Sequence, residues 1–154
     1  MWQRIQSVFL GVTIVCLILG LLLPFWIGGT NEVEYRLYPI YFMTKQNGQI
    51  ASQYFPFSLT AILMVASLMI SVSEFKRYDN RFLQIKLGTL NSLLLAGVMI
   101  CEVIFSNQVS KAYDVPWRYD LTLYLTFVAV AGNWLAVRFI RRDERLVKDS
   151  DRIR

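Results

Sequence analysis

Four long apolar runs, separated by shorter polar stretches, set the pattern of this chain. The clearest covers residues 87–107 and contains one formally charged side chain, Glu102. A helix of about 20 residues, rising roughly 1.5 Å per residue, matches the roughly 30 Å hydrocarbon layer of a bilayer. The other three runs lie at about residues 7–27, 56–73 and 120–138. The pattern predicts one membrane domain of 154 residues with four transmembrane helices.

The first apolar run follows a basic residue, Arg4, and so has the general form of a secretory signal peptide. It is longer than the usual apolar core of about 7–15 residues. It also ends in Pro24-Phe25-Trp26 rather than at a small-x-small cleavage site. These two features favour a retained first helix.

The longest polar connection, residues 28–54, has a different period. Apolar and charged residues alternate along the stretch VEYRL at residues 33–37, which is typical of a half-buried strand. Asn47-Gly48 is a favoured hairpin turn because both residues tolerate positive φ. We expect a short extracytoplasmic β-hairpin or cap over the helix ends. Its tyrosines could bind something outside the membrane, although an interfacial aromatic belt is the simpler explanation.

Lys and Arg residues are distributed unequally over the two predicted sides of the membrane. With both chain ends in the cytoplasm, twelve of the sixteen lie on the cytoplasmic side. Such an excess marks the cytoplasmic side of most membrane proteins, and an even number of spans agrees with it. We therefore predict a multi-pass protein of the bacterial inner (cytoplasmic) membrane with both termini cytoplasmic. The net charge of +5 fits this orientation better than nucleic-acid binding.

Residues 139–154 form a charged tail after the fourth run, predicted to be a cytoplasmic helix. Glu144 and Lys148 are four residues apart in the order that stabilises a helix. Anionic lipids or another subunit are candidate partners for its basic side chains, Arg141, Arg142, Arg145 and Lys148. The interleaved acids favour a solvated or subunit-docking helix over a lipid-binding one.

The charged residue inside the third run is the most pointed candidate for chemistry. A charge within a span costs a few kcal/mol or more, so Glu102 should face protein or water, or be protonated. Tyr124 and Thr126 on the fourth run lie at a comparable depth, and a hydrogen bond from either one is the predicted contact. The functional interpretation is a proton-binding site or an anchor for a cationic ligand. The simpler one is an interhelical hydrogen bond, since a proton relay would need a second buried acid and none is expected.

Other polar residues inside the runs predict helix contacts. Asn91 and Asn133 lie at similar depths of the third and fourth runs, where a pair would contribute roughly 0.6–2 kcal/mol to association in lipid. Small residues near them predict tight association of these two helices. Thr60, Ser67 and Ser71 share one face of the second run, which indicates close helix association or, less simply, a ligand path.

Several chemistries lack the residues they need. Histidine is absent, which removes the usual zinc and haem ligation and the usual nucleophile–base pairing. The two cysteines, Cys16 and Cys101, lie in separate runs and form no C-x-x-C pair. Phosphate-binding Gly-rich loops, H-E-x-x-H and G-x-S-x-G are also missing. We predict no catalytic residue, no metal site and no cofactor.

Three stretches carry a family resemblance: WQRIQS at residues 2–7, LGTLN at residues 87–91 and IRRDERLVKDSDRIR at residues 140–154. Together they resemble the small integral membrane proteins of Bacteroidota grouped as domain-of-unknown-function family 4293. The resemblance implies an inner-membrane location and the same four-helix plan. It implies no activity, ligand or catalytic residue.

The sequence therefore predicts an all-α membrane protein, a four-helix transmembrane bundle with a short β-hairpin or cap and a cytoplasmic C-terminal helix. We expect a non-enzymatic accessory or scaffold subunit of an inner-membrane assembly, in contact with lipids and with other membrane subunits or a second copy. The alternative is a binder or carrier of a small hydrophobic ligand, a lipid or quinone, between helices near Glu102. A membrane enzyme that uses Glu102, Tyr124 or the outer tyrosines is a third hypothesis.

Overall fold

The apolar runs form helices in the computed structural model, which describes residues 3–30, 32–46, 48–77 and 80–151, with the backbone alone for residues 3, 4 and 147–151. Within these ranges, the four helices are α1 (Gln3–Leu22), α2 (Ser58–Lys76), α3 (Arg81–Ala112) and α4 (Leu121–Asp151). All four are long and apolar enough to cross a membrane. The mostly helical fold is as predicted.

Buried positions follow a heptad-like spacing of four and three residues along the helices. The buried residues of α2 are Thr60, Met64, Ser67, Ser71 and Glu74. This spacing keeps one stripe of a helix against its neighbours in a bundle. Each helix packs chiefly against two others, so the bundle closes in the order α1-α2-α3-α4. The sequence had left this order open.

The most extensive helix contact joins α1 to α4 rather than α3 to α4. A Cβ at Gly132 would lie 2.8 Å from Thr13 Oγ1 and 3.2 Å from Phe9 O, so this glycine serves the contact with α1. Thr13 Oγ1 donates to Ala129 O at 3.3 Å on the same interface. Gly132 thus faces α1, and assigning it to a contact with the third run was wrong. Gly88, in contrast, lies at the predicted close approach of α3 and α4, because a Cβ there would overlap Val137 Cγ2 of α4.

The α1–α2 and α3–α4 connections build an antiparallel sheet larger than the predicted hairpin. Within the described residues its strands are β1 (Trp26–Gly29), β2 (Val33–Leu37), β3 (Phe42–Gln46), β4 (Gln49–Gln53) and β5 (Trp117–Tyr119), in the order β4-β3-β2-β1-β5. The β3–β4 hairpin turns at residues 47–48, as predicted, although residue 47 itself lies outside the described ranges.

The sequence pattern did not predict strands β1 and β5. Residues 26–27 were assigned to the end of the first span, but α1 ends at Leu22, just before Pro24, which cannot donate a helical hydrogen bond. The chain then extends, and Trp26 pairs with Leu37 on one side and Tyr119 on the other. The sheet thereby holds the α1–β1 connection against the beginning of α4.

An apolar cluster joins the sheet to the helix ends. Its buried members are Phe25, Trp26, Leu37, Phe42, Phe57, Phe105 and Val109. Trp26 Nε1 donates to Ser110 Oγ at 3.0 Å, which ties β1 to α3. Phe42 and Phe57 are 5.7 Å apart between ring centroids, which ties β3 to the start of α2. The sheet is thus a docked cap and not a free loop.

The helices also extend further than the predicted spans. The predicted second span ends at residue 73 and the third begins at residue 87, but α2 continues to Lys76 and α3 begins at Arg81. Asn80 caps α3, its Oδ1 accepting the Leu83 N–H at 3.1 Å, and an Asn before a helix is a favoured N-cap. The extra turn at the end of α2 brings Glu74 into the bundle. The tail predicted as a cytoplasmic helix is the continuation of α4, through Asp151.

Candidate functional site

Asn91 lies at the centre of a buried polar cluster in the half of the bundle that holds the two chain ends. It is completely buried. Its Oδ1 accepts from Ser67 Oγ at 2.6 Å. Its Nδ2 donates to Ser71 Oγ at 2.8 Å and to Asn133 Oδ1 at 3.0 Å. One side chain of α3 therefore binds α2 and α4 together, and the predicted Asn91–Asn133 contact is confirmed.

Asn133 extends this network along α3. Its Nδ2 donates to Gly88 O at 3.0 Å and to Ser92 Oγ at 2.8 Å. The side chain is completely buried, so every polar atom needs a partner inside the protein. We call Ser67, Ser71, Asn91, Ser92 and Asn133 the asparagine cluster. Its hydrogen bonds satisfy both amides.

Glu102 lies in the other half of the bundle, nearer the sheet, and is completely buried. Its Oε1 accepts from Thr126 Oγ1 at 2.9 Å, one of the two contacts predicted for it. Tyr124, the other predicted partner, is 61% exposed on the outside of α4, so that prediction was wrong. Residues two apart on a helix project in nearly opposite directions, so a similar depth in the membrane does not give Tyr124 and Thr126 the same neighbours.

Three buried oxygens near this level accept or donate no hydrogen bond among the described residues: Glu102 Oε2, Ser106 Oγ and Thr60 Oγ1. Ser106 follows Glu102 by four residues and shares its face of α3. On α2, Thr60 lies between Phe57, which packs on Phe105, and Ser67. The antiparallel register therefore places its hydroxyl at the level of Glu102. Buried polar atoms without partners are uncommon and mark a place for a proton or a small polar group.

A second acid, Glu74, is also completely buried, which contradicts the expectation that none exists. Neither carboxylate oxygen has a hydrogen-bond partner among the described residues. A Cβ at Gly88 would overlap Val137 Cγ2 of α4 and lie 2.8 Å from Glu74 Oε1, so the missing side chain there makes room for both the valine and the carboxyl group. Gln84 Nε2 donates to the Glu74 carbonyl at 3.1 Å. The sequence carries a signal for this burial: Glu74 follows Ser67 and Ser71 at the spacing of four and three residues that keeps a residue on the buried face of α2.

The two acids are far apart. Gly88, beside Glu74, and Glu102 are fourteen residues apart on α3, which is about 21 Å along a helix. A buried apolar layer separates them: Cys16, Leu17, Met64, Leu95, Val98 and Ala129. They therefore do not form a carboxylate pair.

The predicted basic surface forms one wall of a groove of about 570 Å³ between α3 and α4. We call it the arginine groove; it is lined by Thr89, Ser92, Arg138, Arg141, Arg142 and Arg145. Arg141 Nη2 donates to Thr89 Oγ1 at 3.0 Å across it. The Lys148 side chain lies outside the described residues. Arg138 is the last residue of the predicted fourth span. Because it precedes the other three arginines by three, four and seven residues, it lies on the same face of α4 as they do.

The sequence matches the family described as a domain of unknown function (DUF4293) over residues 2–153. The chain belongs to this family. The resemblance to family 4293 drawn from three short stretches is thereby confirmed. No curated protein matches the chain.

The arrangement in this DUF4293 protein limits what its buried side chains can do. Among the described residues, no three His, Cys, Asp or Glu side chains are grouped to hold a metal ion. Both cysteines are free thiols, Cys16 buried and Cys101 partly buried. Asn91 and Asn133 are fully engaged with each other and with α2 and α3. The interior polar atoms that remain available are the two carboxylates and their nearest hydroxyl and amide neighbours.

Proposed function

We propose that the protein is a non-enzymatic accessory or scaffold subunit of an inner-membrane assembly. The observation that carries this proposal is the use of the interior polar residues. Asn91 bonds to α2 and α4 at once, a role that fixes helix positions and leaves no polar atom of its own side chain free for a substrate. Such bonds within lipid stabilise a bundle and hold its surfaces in a defined arrangement.

Strand β4 is the surface that we assign to a partner subunit. It is the last strand of the sheet, and all five of its residues are exposed, Ile50 by 63%. An edge strand presents backbone N–H and C=O groups to which an extended segment of another protein can add. The closing pair of a two-residue hairpin is hydrogen-bonded, and the pairs alternate from there. The backbone N–H and C=O groups of Ile50 and Ser52 therefore point away from β3, toward the open edge of the sheet.

A pair of variants at one position tests this assignment. Ser52→Pro removes an outward N–H without removing a bond to β3, whereas Ser52→Thr keeps it in a residue that strands favour. We expect a stoichiometric partner to co-purify in mild detergent with the parent chain and with Ser52→Thr. It should be lost from Ser52→Pro, as measured by mass spectrometry. Recovery of the monomer alone from the parent chain would contradict the scaffold function, and retention by Ser52→Pro would contradict the role of β4.

The orientation is part of the same proposal: the helices cross the inner membrane, both termini are cytoplasmic, and the sheet faces outward. The stacked Phe9 and Phe139 rings, 5.6 Å apart, support it because they place the first half of α1 beside the second half of α4, so that α1 begins at the end of the bundle toward which α4 runs. In a chain with Cys16 and Cys101 replaced by Ser, a cysteine at Gln49 should react with an impermeant maleimide in whole cells. A cysteine at Leu146 should react only after lysis. The reverse pattern would refute the orientation.

A second candidate function is the binding of a small hydrophobic ligand, a lipid or quinone, between helices near Glu102. The unpartnered Glu102 Oε2, Ser106 Oγ and Thr60 Oγ1 favour it, because a ligand hydroxyl or carbonyl would find polar partners there. Extraction of lipids and quinones from purified protein should then recover a ligand from the parent chain and less of it from Glu102→Gln. Equal recovery from both chains would remove this candidate.

A further inference from the structure

The arginine groove brings four guanidinium groups together on one face of α4. Arg138, Arg141, Arg142 and Arg145 are spaced so that each has another arginine three or four residues away. Like charges at this spacing destabilise a helix. Among the side chains that the structure describes, no carboxylate pairs with Arg138 or Arg141. A bound anion would relieve this repulsion.

Trp134, which also lines the arginine groove, indicates the level of this groove relative to the membrane. Its indole is 56% exposed on α4, and the Arg138 guanidinium lies 5.3 Å from the ring centroid. Exposed Trp beside Arg is typical of the level of lipid headgroups. The groove therefore opens at the headgroup level on the side of the chain ends.

A second, apolar groove continues from the first along α3. It has a volume of about 730 Å³ and shares Thr89 and Ser92 with the arginine groove. Ile85 and Lys86 line it toward the beginning of α3, and in the other direction it runs past Leu90 and Leu93 to Ala96, toward the middle of the bundle. The cationic groove at the headgroup level is therefore continuous with an apolar groove at the depth of acyl chains.

We infer that the two grooves together bind one anionic phospholipid that carries two phosphate charges, of the cardiolipin type. Its phosphates occupy the arginine groove, and one acyl chain lies along Leu90, Leu93 and Ala96. Guanidinium groups bind phosphate oxygens through paired N–H donors, and basic pockets between transmembrane helices on the cytoplasmic side take such headgroups. An acidic protein segment would match the arginines but would leave the apolar groove empty.

Two sets of variants remove the two halves of the site separately. Arg138→Gln and Arg141→Gln, alone and combined, remove charge from exposed positions, and Arg118→Gln on β5 is the control with the same change of charge at the opposite end of the molecule. Ala96→Trp fills the apolar groove and leaves the arginines in place. Circular dichroism establishes that each variant is folded.

Native mass spectrometry of the full chain in detergent measures the affinity for the first bound lipid, with cardiolipin, phosphatidylglycerol or phosphatidylethanolamine as the probe. We expect cardiolipin to bind at least tenfold more tightly than phosphatidylglycerol. Each arginine substitution should weaken cardiolipin binding about fivefold, as expected for about 1 kcal/mol per basic residue, and the double variant more. Ala96→Trp should also weaken it, while Arg118→Gln should leave it unchanged.

Three results would overturn the inference. Equal losses from Arg118→Gln and Arg138→Gln would mean general electrostatic attraction. Tight binding of inorganic pyrophosphate that competes with cardiolipin, together with no effect of Ala96→Trp, would mean a site for a soluble phosphate compound. Equal affinity for the three lipids, with an acidic peptide bound more tightly, would mean a protein-docking surface. Because these measurements use the isolated chain, they are independent of whether β4 binds a partner.

Discussion

Replacing Asn91 by Ala is the sharpest test of how the bundle is held together. The substitution removes the acceptor of Ser67 Oγ and the donor to Ser71 Oγ and Asn133 Oδ1, at distances of 2.6, 2.8 and 3.0 Å. Asn91 is completely buried, so water cannot replace these partners. One change on α3 therefore weakens the contacts of α3 with both α2 and α4.

The expected magnitude follows from measured interhelical hydrogen bonds in lipid, which average about 0.6 kcal/mol and reach about 1.7 kcal/mol. Three such bonds amount to about 2 kcal/mol of lost unfolding free energy, with about 5 kcal/mol as an upper bound. The Asn91–Asn133 bond alone should appear as a coupling of about 0.6–1.7 kcal/mol in a double-mutant cycle with Asn133→Ala.

Reversible unfolding by SDS in mixed micelles, followed by circular dichroism, measures these free energies. Ile100→Ala is the control on the same helix, because its side chain is 58% exposed and lies away from the bundle interior. We expect the loss for Asn91→Ala to exceed that for Ile100→Ala by at least about 1 kcal/mol. Equal losses, or additive effects in the cycle, would refute the claim that the asparagine cluster holds three helices.

Three further predictions concern single contacts and use the same unfolding assay. Gly88→Ala should cost about 1–3 kcal/mol because its Cβ would overlap Val137 Cγ2 of α4 and lie 2.8 Å from the buried α2 carboxylate. Gly97→Ala, with its nearest side-chain neighbour at 3.6 Å, should stabilise by up to about 1 kcal/mol, and the opposite order would contradict the close approach at Gly88. Glu102→Gln should leave the stability unchanged or raise it, because the amide keeps an acceptor for the α4 threonine and, unlike the carboxyl group, carries no cost of burying or neutralising a charge. A loss above about 2 kcal/mol would contradict this. Ser110→Ala should cost about 1–3 kcal/mol because the buried indole N–H of Trp26 loses its acceptor, while Ser110→Thr keeps a hydroxyl and should cost less.

The sequence predicted those contacts that depend on helix geometry alone. Depth counting placed Asn91 opposite Asn133 because both helices rise by the same distance per residue. It failed for Tyr124 because depth does not say which side of a helix a residue occupies. Considering the heptad-like spacing as well would have chosen Thr126, which is buried, and would have added Glu74 to the stripe of Ser67 and Ser71.

The sheet and the groove could not be predicted in the same way. Strand β1 pairs with β5, about ninety residues later in the chain, and strands of three or four residues carry little local signal. The arginine groove depends on which face of α4 meets α3, and that follows from the closed order of the helices. Its residues were visible in the sequence as a basic tail, but the hydroxyls of Thr89 and Ser92 were not visible as its opposite wall.

Ser92 joins the interior of the bundle to its surface. Its hydroxyl accepts from Asn133 Nδ2 at 2.8 Å, and the same side chain lines both the arginine groove and the apolar groove. A lipid in the grooves therefore touches a member of the asparagine cluster and lies against the α3–α4 contact that this cluster holds. A ligand that binds only the folded state stabilises it by mass action. We expect Asn91→Ala to loosen the groove, so cardiolipin should raise the unfolding free energy of the parent chain more than that of the variant. Equal stabilisation of both chains would mean that the groove keeps its shape without the cluster, and that the surface and the interior act separately.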